Sequence, residues 1–130
     1  MKKRILLGVL IFVLVLFGLS YIPHPVVNLS PSKISKITVF NGNTGFEIEI
    51  TDERDIRHII NNLNDVTFQK GKTSFGYMGY SFDTTIYNQK GKPVKELIIN
   101  SEDTIRYKGF FHRATKNEID FEYINRLFGN

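Results

Sequence analysis

The sequence predicts an α+β fold behind an N-terminal transmembrane or signal helix: a two-layer domain, with an antiparallel sheet of about five to six strands and two helices on one face. Three observations lead there. Residues 5–22 form one uncharged apolar run. From residue 34 onward, short alternating segments are punctuated by Gly- and Asn-rich turns. Only two segments, near 52–64 and 120–128, carry apolar residues at helical spacing.

The apolar run reads ILLGVLIFVLVLFGLSYI, with only Ser20 and Tyr21 polar. As a helix it would span about 27 Å, close to a hydrocarbon core of about 30 Å. Lys2, Lys3 and Arg4 precede it and would hold the N-terminus in the cytoplasm, sending the rest of the chain outward. Tyr21 stands where an interfacial aromatic would sit. A cleaved signal peptide is the other reading, because Gly18-Leu19-Ser20 loosely fits a small-x-small cleavage site; the domain would then be secreted. Residues 23–33 hold three of the four prolines and read as a semi-rigid spacer, with His24 a solvated linker residue. The expected organisation is therefore an anchor or signal at 1–22, a Pro-rich linker at 23–33 and an extracytoplasmic domain at 34–130.

Charge and composition narrow the function classes. The net charge of +4 comes from 17 Lys and Arg against 13 Asp and Glu. Three of those cations lie at residues 2–4, leaving 14 against 13 for the rest. Nucleic acid gains no support from such a balance. The chain has no Cys, which removes disulfides, thiol catalysis and lipoprotein attachment. A Cys-free exported domain must rely on its core, a combination that fits a bacterial cell-surface protein.

Within the domain, residues 34–40 and 46–50 alternate around a turn at 41–45, so a hairpin is expected with Ile37, Val39, Phe46, Ile48 and Ile50 inward. Asp52 reads as the N-cap of a helix whose Ile56, Ile59, Ile60 and Leu63 make one buried stripe, with Asn64 its cap. A short strand at 66–68 and an irregular stretch at 69–79 follow. Residues 80–87, 94–100 and 104–112 read as three strands of a meander, the last carrying Ile105, Tyr107 and Phe111. Residues 120–128 form the closing helix, with Phe121, Ile124, Leu127 and Phe128 on one side.

No catalytic or cofactor set emerges. Lys70-Gly71-Lys72-Thr73 lacks the earlier Gly of a phosphate loop, where Val66 stands. Glu47 and Glu49 share a strand face as a glycosidase pair would, but cross-strand pairing with Lys36 is the simpler expectation. His24, His58 and His112 lack metal-ligand spacing, and His112 has no acidic neighbour in sequence to orient it as a base. Two surfaces stand out. Phe75, Tyr77, Met78 and Tyr80 alternate with Gly, as in protein-binding loops, although they also suit a glycine-bent strand entry. Arg106, Lys108, Arg113 and Lys116 form a basic run that could meet an anionic surface or guard a strand edge.

Residues 48–52, the Ile56, Ile59, Ile60 and Leu63 helix, residues 86–91 and residues 119–128 together resemble a family. It is that of small membrane-anchored or secreted domains of unknown function from low-GC Gram-positive bacteria, over about residues 34 to 129. The resemblance implies no activity, no cofactor and no catalytic residues. The arrangement of helices on one sheet is also similar, in architecture alone, to small secreted inhibitor domains. The expected function is a non-enzymatic binding module at the cell surface, with the membrane and a protein as partners. An inhibitor or immunity-type protein is the alternative, and a cell-wall hydrolase the third.

Overall fold

The computed structural model describes residues 1–79 and 81–129. Helix α1, Lys2–Leu19, is followed by a 3₁₀ turn at Pro31–Lys33 and strands β1, Ile34–Asn41, and β2, Glu47–Ile50. Helix α2, Glu53–Asp65, leads into β3, Thr67–Thr73; then come β4, Phe82–Asn88, β5, Pro93–Ile99, β6, Thr104–Tyr107, β7, Phe110–Lys116, and helix α3, Phe121–Arg126. The seven strands form one antiparallel sheet in the order β2-β1-β4-β5-β6-β7-β3.

One face of the sheet carries the core. Ile37 and Val39 of β1, Phe82 and Ile86 of β4, Leu97 and Ile99 of β5, Ile105 of β6 and Phe68 of β3 pack with the α2 stripe Ile56, Ile59, Ile60 and Leu63 and with Ile124 of α3. Burial of a side chain of this size stabilises by roughly 1.5–3 kcal/mol. Asp52 caps α2 as expected, accepting from the Arg54 and Asp55 amides at 2.8 and 3.4 Å. Phe82 stacks near Phe121 and Phe128, which seats the end of the chain on β4.

Several expectations need correction. The segment 104–112 is two strands, because Lys108 and Gly109 both take positive φ, 49° and 83°, and turn the chain back. Two such residues in succession make the tight turn that matches strand twist. Tyr107 then pairs with Phe110 and Ile105 with His112, so the buried alternation restarts: His112 enters the core face while Phe111 goes to the opposite one. With β3 extended to Thr73, the sheet has seven strands and not five to six. Phe46 is 70% exposed because β2 begins only at Glu47, beyond the turn.

A further correction concerns 23–33, which is no spacer. The backbone of His24 makes a two-way bridge with Phe68, at 2.9 Å each way, extending the β3 edge. Val26 and Val27 are buried in the core, and the Asn64 side chain holds Leu29 by both its backbone groups, at 3.0 and 2.7 Å. The prolines straighten the segment, and the straightened segment packs. Helix α1 stops at Leu19, short of the end of the apolar run at Ile22. Among the described residues no helix is long and apolar enough to cross a membrane. Of the 18 residues of α1, three are cations, and the uncharged remainder, 5–19, covers about 22 Å at 1.5 Å per residue.

Candidate interaction surface

Among the described residues, no layer covers most of the width of the sheet face opposite the helices. Lys36, Thr38, Glu47 and Glu49 stand on it, with Lys36 paired to Glu49 at 3.6 Å as cross-strand neighbours should be. The exception is the connection after β3, which must travel from one edge of the sheet to the start of β4 near its middle. It crosses over β7 and β6 as it goes. The Ser74 amide donates to Gly109 O at 2.9 Å, the Tyr77 ring meets Phe111 edge-on at 5.1 Å, and Arg106 Nη1 donates to Tyr77 O at 3.2 Å. Lys72 Nζ donates to the Tyr77 hydroxyl at 2.9 Å.

Tyr77 is thus the ring that anchors this loop. Phe75 and Met78, at 90% and 94% exposed, are presented by it. Gly76 and Gly79 take positive φ, 83° and 88°, which lets the loop turn sharply on either side of Tyr77. Tyr80 lies outside the described residues.

Beside the loop is a groove of about 280 Å³, lined by Ser74, Asp83, Glu96, Ile98, Arg106 and Lys108 among others. Register builds it: Asp83 opposes Ile98 on β5, Ile98 opposes Arg106 on β6, and Thr85 opposes Glu96. Burial, then the charges of Glu96 and Glu47, push the Asp83 carboxyl above its ordinary 3.8. At the other side burial would raise the Tyr107 hydroxyl, but hydrogen bonds and charge from Lys95 and Lys108 outweigh it, leaving that group below 10.0. The groove therefore has an acidic wall and a basic wall. Arg106 Nε is buried without a hydrogen-bond partner among the described residues.

The basic run expected from sequence is dispersed. Arg106 lies under the loop, and Lys108 stands in the β6–β7 turn. Arg113 pairs with Asp103 at 3.6 Å, and Lys116 ends β7 beside Thr67, at the opposite end of the sheet from Lys108. The histidines also separate. His112 is buried, its Nδ1–H donates to Phe110 O at 3.1 Å, and burial lowers it from its ordinary 6.5.

His58, for which the sequence suggests a structural or solvated role, joins the helices. Its Nε2 lies 2.8 Å from Asp120, and its ring stacks on Tyr123 at 3.7 Å. Tyr123 donates to Asp55 at 2.5 Å, and Asn62 binds both the Asp120 amide and Glu118 O, at 2.8 and 3.0 Å. These contacts link residues more than fifty positions apart in sequence, which is why spacing did not reveal them. Together these contacts latch α3 to α2. Among the described residues no group of three or more potential ligands could hold a metal ion.

Comparison with protein-family models, with characterised proteins and with solved structures finds no match to this chain.

Proposed function

We propose that this chain is an interaction module held at the outer face of a cell membrane by α1, of the kind its resemblance to small anchored Gram-positive domains implies. The observation that carries the tether is α1 itself. Its side chains from 5 to 19 are uncharged and exposed around the whole helix, so water is a poor solvent for every face of it. Turn hydrogen bonds continue past Leu19, from the Tyr21 amide to Gly18 O and from the Ile22 amide to Leu19 O, both 3.1 Å. Three more residues in this 3₁₀ form bring the apolar run to about 28 Å.

Retention is favoured over cleavage by the state of the candidate cleavage segment. Gly18-Leu19-Ser20 is wound in helical turns, and Ser20 accepts from Lys70 Nζ at 3.3 Å. A protease reads its site extended. Intact mass, together with retention in membranes after an alkaline wash, tests this: a chain starting near residue 21 in the medium refutes the tether.

The groove and the loop beside it are the proposed partner surface. An uncovered sheet face, a rigid Tyr77, an exposed Met78 and opposed charged walls suit a protein partner with its own paired charges. A photo-crosslinking residue in place of Met78 should give one discrete adduct on intact membranes, lost when Glu96→Arg reverses the acidic wall. Unchanged adducts would reject the groove. An inhibitor or immunity role is the same surface turned on an enzyme. A second reading, a surface hydrolase, has one observation for it: Asp83 is held above its ordinary carboxylate value beside Glu96. Release of soluble fragments from purified wall polymer, abolished by Asp83→Asn, would establish that reading instead.

A further inference from the structure

The strand register gathers cations that are scattered in sequence. Ile34 opposes Asn88, Tyr87 opposes Pro93, Tyr107 opposes Phe110, and Phe110 opposes Thr73. The 89–92 turn, the 108–109 turn and the end of β3 therefore share one end of the sheet. That end bears Lys70, Lys72, Lys90, Lys92, Lys95 and Lys108, against Glu96 and the acidic first turn of α2, Glu53 and Asp55 behind the Asp52 cap. The opposite end carries Glu47, Asp65, Glu102, Asp103 and Glu118 with few cations.

The same end is where α1 meets the domain. The Lys70 ammonium lies 3.9 Å from the centre of the Phe110 ring and 5.1 Å from those of Phe17 and Tyr21. Gln69 Nε2 reaches Tyr21 O at 3.5 Å. Phe17 is thus the last residue of the helix, counting back toward its start, that these contacts tie down. Phe75, exposed and adjacent to Ser74 on the 108–109 turn, stands at this end too.

We propose that this end of the sheet, through its lysines and Phe75, seats on the anionic phospholipid headgroups of the leaflet from which α1 emerges. The inference rests on the tether reading, and it specifies what the tether does: the domain stands on the bilayer in one orientation, with its acidic end outward. Three features argue for lipid as the occupant. The surface is continuous with the point where the helix leaves the domain. Its charge is complementary to a headgroup layer. With 23–33 packed in the core, no slack separates residue 22 from the sheet, so this end lies within reach of the headgroups. Lysines stacked on rings beside an exposed Phe form the kind of surface that settles at a membrane interface.

The chain has no Cys, so a single one can be introduced for labelling. Full-length Phe75→Cys, carrying an environment-sensitive fluorophore and reconstituted in phosphatidylcholine vesicles with 30% phosphatidylglycerol, should be quenched by spin-labelled headgroups. Glu102→Cys, at the far end, should not be. Pure phosphatidylcholine, 0.5 M salt, or the triple reversal Lys90→Glu, Lys92→Glu, Lys108→Glu should each abolish the quenching while the chain stays in the bilayer. The loss expected is roughly fivefold per cation removed. A melting curve of the triple variant confirms that it folds, and the salt arm needs no variant. A chain that remains after an alkaline wash but is unquenched at residue 75, or quenched regardless of lipid charge, overturns the seating and leaves the tether. A chain that washes off overturns both.

Discussion

Individual ionisable residues carry costs and gains that can be measured. Asp83 is held above its ordinary 3.8 by burial and by Glu96 and Glu47. A carboxyl raised in the folded chain contributes stability that is lost as pH rises through its folded value, so at neutral pH the ionised Asp83 opposes folding. Asp83→Asn should raise Tm at pH 7, on the order of 1–3 °C because solvent still screens this only partly shielded carboxyl, and the gain should vanish near pH 3. His112 runs the other way. Burial lowers it below 6.5, so the unfolded chain takes a proton that the folded chain refuses, and stability falls as pH drops below about 6.5. Thermal melts from pH 7.5 to 5 should show that loss, and His112→Gln should flatten it. Asp120, lowered by the His58 hydrogen bond first, keeps its contribution until the pH falls through the carboxylate range.

Among the elements, the segment 23–33 departs furthest from its appearance in sequence. Three prolines suggest an exposed rod, yet Val26, Val27 and Leu29 sit against the core and His24 bridges β3. A chain beginning at residue 34 should therefore melt at least about 10 °C below one beginning at residue 23, since burial of two valines alone is worth about 3 kcal/mol. Equal melting temperatures would return the segment to a linker. The helices were legible because their stripes and the Asp52 cap are local signals. The hairpin inside 104–112 was not, since a strand pattern survives a two-residue turn with only its parity changed. Lys108-Gly109 was the available signal, and strand propensity on both sides of it masked the turn. The His58 latch was illegible for a different reason: its partners, Asp120 and Tyr123, are brought to it only when α3 docks on α2.

At the scale of the whole molecule, charge is the property that the linear chain conceals. Counted along the sequence beyond residue 4, cations and anions nearly cancel. Folded, they separate to opposite ends of one sheet, because antiparallel register puts the 89–92 and 108–109 turns and the end of β3 side by side. The groove has the same origin, since Asp83, Glu96 and Arg106 come from three adjacent strands. By itself the sequence determined the apolar helix with its leading cations, the two amphipathic helices, the absence of thiol chemistry and the α+β class. Each of these depends on neighbours within one or two turns of chain. Tertiary structure alone decided that 23–33 belongs to the core, that His112 is buried and His58 is a latch, and that the lysines share the end from which α1 departs. Those outcomes depend on which strands pair and in what register, a choice made by burying one sheet face as a unit and not by any segment separately.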